Sequence, residues 1–556
     1  MKLPSPLWLV PLAALAALAA GGVAVAPISF EEIAGRAGVR FVCNTSPTPR
    51  KYQPEPMVAG VAIFDYDGDG YPDLYFVNGG AMPSLTRDGP KFYNRLYHNN
   101  GDLTFTDVTE KAGVAGSGYG MGVAIGDFDN DGHPDIFLAS LTGNQLFHNN
   151  GDGTFTDVTA KAGVSGGVFA GRKMWSAAGA WLDYNNDGLL DLFVSNYCVW
   201  YPGADPDCVV NGHRIYCSPR YYKPLPNSLY RNNGDGTFTD VSVETGVAQH
   251  PGRGMGVAVA DYDGDGFADI FVANDDAPNQ LFHNLGGKRF EEVGEDQLVA
   301  FAQDGKLISG MGADFRDVFN TGRPAIWVSA LEQQTFPLFA KTGNGPFQDW
   351  TARAGLAWQT SLMAGWSNAI VDLDNDGWKD LIVARSNVTD NIALFSQRSF
   401  EEPNAVFRNL GNGHFQDVSA AAGPDFQVPG AHRGLAFGDL DNDGRMDVVV
   451  SVWNGQAKVF HNTTQSGNHW LLLQLLGTKS NRMGIGARVR LTASDGSIRY
   501  NHASISTGYG ASSDPRVHFG LGGAARASEI EILWPSGIRQ VLRDVPGDRV
   551  LVAAEP

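Results

Sequence analysis

Residues 60–78 read GVAIFDYDGDGYPDLYFVN: an apolar run, four aspartates at 65, 67, 69 and 73 around Gly70, and a second apolar run. The acids occupy relative positions 1, 3, 5 and 9, with glycine at 6. The flanks are short β runs, so the acidic loop joins two strands. The segment returns as GVAIGDFDNDGHPDIFLAS at 122–140, GAWLDYNNDGLLDLFVSN at 179–196 and GVAVADYDGDGFADIFVAN at 256–274. A decayed copy, GADFRDVFNTGRPAIWVSA, follows at 312–330, then NAIVDLDNDGWKDLIVARS at 368–386 and LAFGDLDNDGRMDVVVSV at 435–452.

The first acids of the seven copies lie 55 to 78 residues apart, room for about four short strands each. Four strands per repeat is the content of a propeller blade. A hairpin signature follows most copies: NRLYHNNGDLTFTDVT from Asn94, NQLFHNNGDGTFTDVT from Asn144, NSLYRNNGDGTFTDVS from Asn227 and NAVFRNLGNGHFQDVS from Asn404. The Asn, Gly and Asp between its two strands tolerate positive φ. After copy seven the final strand is missing, while Phe30-Glu31-Glu32-Ile33-Ala34 with Ala37-Gly38-Val39 repeats the FTDVTEKAGV pattern of 105–114. The expectation is a seven-bladed β-propeller over 27–465 whose last blade is completed by the N-terminal strand, which hides two sheet edges.

A loop that turns four carboxylates inward repels itself unless a cation sits among them. All-oxygen ligation, with a backbone carbonyl at position 7, suits Ca²⁺ at about 2.3–2.6 Å better than a transition metal. The expected ligands are Asp65, Asp67, Asp69 and Asp73; Asp127, Asp129, Asp131 and Asp135; Asp183, Asn185, Asp187 and Asp191; Asp261, Asp263, Asp265 and Asp269; Asp372, Asp374, Asp376 and Asp380; and Asp439, Asp441, Asp443 and Asp447. Copy five puts Asp317, Phe319, Thr321 and Ala325 at those positions and should bind no ion. The expected cofactor is therefore about six structural Ca²⁺. Asp, Asn and Gly clusters also mark plain turns, an explanation that serves one copy better than six.

The 556 residues carry a formal charge of −19, and six divalent ions would bring that to about −7, so the acidic balance says little about partners. It does argue against nucleic-acid binding through a basic surface. Residues 1–26 are apolar after Lys2 and read as a signal peptide. An uncleaved anchor is the alternative. The expected location is secreted, extracellular or periplasmic, with no membrane span after cleavage. Of the three pairings open to Cys43, Cys198, Cys208 and Cys217, Cys208 with Cys217 is favoured as a staple of one short loop, leaving Cys43 with Cys198.

With the acidic loops on one face, the long insertions 79–93, 197–226 and 387–403 fall on the other, where recognition is expected. Insertion 197–226 is dense in Tyr, Trp and Pro beside cations, suiting a glycan or peptide, or else it simply packs on itself. Lys51, Arg172, Lys173, Arg253, Lys306, His432 and Arg433 should rim the central opening, and with His213 they form the candidate ligand set. Three tripeptides, at Asn44, Asn387 and Asn462, fit the N-glycosylation pattern.

Residues 466–556 change to short alternating strands without acidic loops, a small β-sandwich or barrel. The DxDxDGxxD blades with LYHNNGDGTFTDVT resemble the FG-GAP (VCBS-type) repeats of integrin-α-like propellers. Asn468-His469-Trp470-Leu471, the segment 481–487, Gly508-Tyr509 and the segment 532–537 resemble the ASPIC/UnbV domain. The pair is similar to the cartilage-acidic-protein-like family. The resemblance implies an extracellular calcium-binding protein that recognises another protein or a glycan. The alternatives are a carbohydrate lyase or hydrolase using the basic rim, with His213, His432 and Arg433 as candidates, and a structural matrix component. No convergent catalytic set is visible, so a non-enzyme is expected.

Overall fold

The computed structural model describes residues 26–556, so the expected leader lies outside it but for its last residue. Among the described residues no helix is long and apolar enough to cross a membrane.

Seven antiparallel four-stranded blades follow the seven copies, the first extended to six strands by a hairpin described below. Their innermost strands are Val61–Phe64, Gly120–Gly126, Ser176–Leu182, Gly254–Ala260, Ala313–Arg316, Gly365–Val371 and His432–Gly438. Each touches the next, and the seventh touches the first, so the ring closes. In blade seven the outermost strand is Phe30–Glu32, with Phe30 opposite Asn462. Every residue of these inner strands is buried, because each blade is packed on both sides. Glycine recurs where the strands crowd the axis. A Cβ on Gly122 would lie 2.6 Å from the Ala177 carbonyl, and one on Gly256 would lie 2.5 Å from that of Gly508.

Gly508 belongs to the C-terminal domain. That domain has a three-stranded sheet (Val517–Gly522, His469–Leu476, Val550–Ala554) and a four-stranded one (Ile498–His502, Arg488–Ala493, Arg526–Leu533, Arg539–Pro546), around a core that includes Leu471, Leu491, Ile530 and Trp534. Between the sheets the chain leaves the domain and enters the propeller's central channel. Ser506–Thr507 and Ala511–Ser512 form a hairpin, and Ala511 and Ser512 pair in parallel with Val61 and Ala62 of blade one. Gly510 accepts from Val123 N (3.0 Å), Gly508 exchanges bonds with Ala313 (2.9 and 3.2 Å), and Asp514 N donates to Phe437 O (3.0 Å). The backbone groups of the plug are thus satisfied by several blades, as burial requires.

Tyr509 is the tip. Fully buried, it meets the Trp366 ring (centroids 5.9 Å apart) within a core cluster that includes Met57, Met121, Met255, Met311 and Trp175, and its hydroxyl donates to Met57 O at 2.7 Å. The channel is therefore filled by methionine, tryptophan and a tyrosine from the other domain, where the sequence suggested a cationic opening.

The opposite mouth is covered as well. Segment 44–57 crosses it and ties down two insertions: Gln53 N donates to Asp205 (3.1 Å), Lys51 Nζ to Asp390 (2.6 Å), and the Tyr216 hydroxyl to buried Glu55 (3.0 Å). Asp205 also receives Trp200 Nε1 and the Tyr222 hydroxyl. Most aromatics of insertion 197–226 are consumed by this packing.

Cys208 and Cys217 are disulfide-bonded. Cys43 and Cys198 are free and buried, which corrects the pairing reached by elimination. Cys43 bridges to Trp453 at blade seven, and Cys198 to Pro224 after blade three. The two thiols are thus held by different blades. Burial pushes the Cys43 thiol up to about 12.

Removing the Tyr509 ring leaves a closed void and an orphaned Met57 carbonyl. Tyr509→Ala should lower unfolding free energy by about 3–5 kcal/mol, and Tyr509→Phe by about 1 kcal/mol, as read from urea unfolding curves.

Candidate metal centre

Each acidic loop is built by its own carboxylates before any ion is considered. In loop one Asp65 accepts from Gly68 N (2.8 Å), Asp69 N (3.2 Å) and Gly70 N (2.9 Å), which folds the turn around it. Loops two, three, six and seven repeat the position-6 contact: Gly132 N to Asp127, Gly188 N to Asp183, Gly377 N to Asp372, and Gly444 N to Asp439. Gly70, with φ 91°, adopts the left-handed turn required there. The position-9 acids start the second strand and are buried: Asp73, Asp135, Asp191, Asp269, Asp380 and Asp447.

Asp65, Asp67 and Asp69 each offer an oxygen within 4.8 Å of the others, and so do Asp67 and Asp73 together with a His98 nitrogen. That is the span of two ligands across one ion at calcium distances. Burial, reinforced by neighbouring acids, pushes Asp73 up to about 9. Burial likewise lifts Asp439 to about 8 and Asp135 and Asp269 to about 7. Asp372 Oδ1 and Asp441 Oδ1 are buried with no hydrogen-bond donor among the described residues. A hard divalent cation would remove each of these penalties, so the donor set fits calcium.

Two sets of residues escaped the sequence reading. The first is the histidine of the LYHNN strand. His148, His283 and His461 place Nδ1 3.2, 3.1 and 3.0 Å from the position-9 acids Asp135, Asp269 and Asp447. His98 lies 3.2 Å from Asp67. In loop six Arg408 pairs with Asp374 instead.

The second is the asparagine that follows. Asn99, Asn149, Asn232, Asn284, Asn409 and Asn462 each donate their backbone N–H to their own blade's position-9 acid at 2.7–2.8 Å. Their side-chain Nδ2 donates to the preceding blade's loop, at Leu440, Tyr66, Phe128, Tyr184, Val318 and Leu373 O respectively (2.7–2.9 Å). A further stitch joins loop tips. Asn130, Asn186, Asn320, Asn375 and Asn442, all at positive φ, donate to Gly188, Gly266, Gly377, Gly444 and Gly70 O of the next loop. The signal was visible as the repeated first N of LYHNN, but turn preference explained it first. Asn462 is spent as such a latch and fully buried, so the glycosylation pattern there is closed in the fold.

Loop five lacks the cage. Asp317 still accepts from Phe319 N and Gly322 N, but Ala325, Ala340 and Lys341 stand where other blades carry the position-9 acid, the histidine and the asparagine. Buried Lys379, from loop six, donates to Asp317 O (3.0 Å) and Tyr500 O (2.7 Å). Burial lowers its ammonium to about 8, against the pull of Asp317.

The C-terminal domain rests on this acidic face. Arg482 N donates to Asn130 Oδ1 at loop two, Arg488 pairs with Asp261 at loop four (2.8 Å), and His518 meets Asn375 Oδ1 at loop six (2.8 Å). Arg516 reaches Asn442 Oδ1 and Asp439 O at loop seven.

The suggested ligand set on the other face is not gathered. Lys173 is exposed and bonds to Ser165 and Gly166 O, Arg253 bonds to Asp276 and Tyr222 O, and Lys306 pairs with Asp304 at the surface. His213 lies in the short strand His213–Arg214, paired with Val209–Val210. His432 is buried, which lowers it to about 4. Arg433 is fully buried, stacked 4.0 Å from Trp366 and bonded to Pro56 O. Arg433 also donates to His432 O, and none of the other bonds named here joins two members of the set.

Fold and loops together define an all-β propeller whose blades turn on acidic oxygen cages. The FG-GAP-like repeat profile matches residues 65–138, 127–194, 205–272, 261–328 and 389–450, and the ASPIC and UnbV profile matches 477–556. The chain belongs to the FG-GAP-like repeat family and ends in an ASPIC and UnbV domain. It is 25% identical over 501 residues to cartilage acidic protein 1 of Mus musculus, covering 88% of this chain and 63% of that protein. A 103-residue stretch is 36% identical to integrin alpha-7 of Mus musculus, covering 17% of this chain and 8% of that one. The chain thus spans under two thirds of the length of these relatives. Among solved structures, an Agrocybe aegerita lectin that recognises non-reducing terminal N-acetylglucosamine aligns with TM-score 0.37 and 19% identity, covering 65% of this chain and 80% of that one.

Asn409→Ala removes bonds to Val318 O and Lys379 O from a buried site. It should cost about 1–3 kcal/mol in urea unfolding, whereas Asn100→Ala, in the exposed turn, should change stability by less than about 0.5 kcal/mol.

Proposed function

We propose that this protein is an exported, calcium-stabilised recognition module that binds an extracellular protein or glycan. The observation that carries the calcium reading is the set of six loops whose buried carboxylates are driven toward protonation by burial and by one another. Calcium serves structure here, since ligands crowd each loop and leave no open position for Lewis-acid chemistry. Membership of a family that includes matrix and integrin relatives, together with a disulfide, supports an extracellular setting. The candidates for an enzymatic reading, His213, His432 and Arg433, share no open cleft, which favours binding over turnover.

Blade five completes the count. Lys379 supplies by a tethered ammonium the positive charge that an ion supplies elsewhere, so the ring holds six ions and one lysine.

Elemental analysis of the dialysed protein should return six calcium ions per chain. Chelation should lower the melting temperature by well over 10 °C, in line with linkage across several sites, and an unchanged melting curve would overturn the metal reading. Lys379→Met leaves the Asp317 and Tyr500 carbonyls without their donor and should cost about 1–3 kcal/mol, read by the same melting assay in calcium, with the ion count still six. Screening the calcium-loaded chain on glycan and extracellular-protein arrays tests recognition. Silence on both would refute it.

A further inference from the structure

A cavity of about 610 Å³ lies between loops three to five and the four-stranded sheet of the C-terminal domain, within the size range of small-ligand sites. Its roof is unusual for a buried sheet face. Two cross-strand rows line it: Tyr500, Arg490 and Glu531 are direct neighbours on three strands, and so are His502, Arg488 and Leu533. A sheet face that only packs against another domain is apolar. Here five of six side chains are polar: Arg488 pairs with Asp261, His502 meets Val259 O (3.3 Å), and Tyr500, Arg490 and Glu531 border the space.

The charges in that space do not balance among themselves. Asp261 is paired with Arg488 and Glu531 with Arg539, and Lys379 donates to the Asp317 carbonyl while its charge opposes the burial that raises the Asp317 carboxylate. Asp183 and Asp265 belong to loops three and four. Arg490 alone has no hydrogen-bond or ion-pair partner among the described residues, and the Tyr500 hydroxyl opposite it has none either. The two groups are on neighbouring strands, so one ligand can meet both.

We infer that this cavity is a binding site for a saccharide bearing a carboxylate, with Arg490 holding the carboxylate. A planar guanidinium takes a carboxylate through two parallel hydrogen bonds. The Tyr500 ring offers the apolar face of a sugar ring a surface, and its hydroxyl can donate or accept. Glu531, across the same row, accepts from hydroxyls. Apolar Leu533 and Pro535 add to the lining, which suits the mixed polar and apolar surface of a pyranose. The site deepens the recognition reading above and moves it from the insertion face to the interdomain face.

The test is calorimetric titration of the calcium-loaded full chain with glucuronic acid and with a uronate-containing disaccharide, glucose and inorganic sulfate being controls. Binding of at least one uronate, with neither control binding comparably, is the expected result. Arg490→Met should weaken it at least tenfold and Tyr500→Ala severalfold, each with an unshifted melting temperature. Absence of uronate binding, equal binding of glucose or sulfate, or full affinity in Arg490→Met would overturn the assignment. If Arg490→Met keeps an array partner found for the parent chain while uronates fail to bind, recognition stands and this site falls. If the parent chain binds nothing on either array, the broader reading falls too.

Discussion

Everything in this fold answers to the repulsion among acids gathered at one end of each blade. Three or four carboxylates drawn within a few ångströms and partly removed from water raise one another's proton affinity. The backbone N–H groups of the turn offset only part of that. Yet these acids fix the loop that links the two inner strands of a blade, and the position-9 acid also receives the third strand through the LYHNN asparagine. In six blades the acidic loop thus ties the inner hairpin to the third strand, while blade five keeps its register with Ala325 in place of the acid. On the calcium reading proposed above, a cation is what relieves that repulsion.

The same loops set the relation between blades. The asparagine that reads its own blade's position-9 acid donates its side chain to the loop before it, and the position-4 asparagine donates to the loop after it. Charge neutralisation at one site is therefore mechanically connected to its neighbours around the ring. The C-terminal domain adds a radial connection, because it rests on the loop tips and sends residues 503–514 into the channel between the inner strands. Propeller and C-terminal domain share one core through Tyr509, so treating them as independent modules on a linker misdescribes the packing.

What was legible in the sequence is what repeats. Seven copies gave the blade, and the displaced FTDVT-like segment at residue 30 gave the closure. The 1-3-5-9 spacing gave the acidic cages. What was illegible occurs once. The GYGAS stretch at 508–512 carries Gly508-Tyr509 of the ASPIC/UnbV resemblance, but nothing in it tells that it enters the channel, where only a ring of glycine-lined inner strands makes room for it. Arg433 looked like a rim cation because position alone was available. Its burial depends on Trp366 and on segment 44–57, hundreds of residues away. The same holds for Cys43 and Cys198: counting four thiols cannot reveal that two are held by different blades.

Blade five tests whether cage and latch are one physical unit, the histidine being already arginine in blades three and six. Were the asparagine merely a good turn residue, the blade that lost its position-9 acid would have no reason to lose it as well. Instead Ala325, Ala340 and Lys341 replace acid, histidine and asparagine together. The two lysines that appear nearby do related work. Lys379 supplies charge to Asp317, and Lys341, standing where the latch would be, lies 4.7 Å over the ring of Tyr262 in the preceding loop. Without a carboxylate to receive its N–H, the asparagine has half its bonds left to make, and a cation on an aromatic face can hold the same two blades together. The exception keeps both contacts the ring needs, one neutralising charge and one link to the neighbour, by means that require no ion.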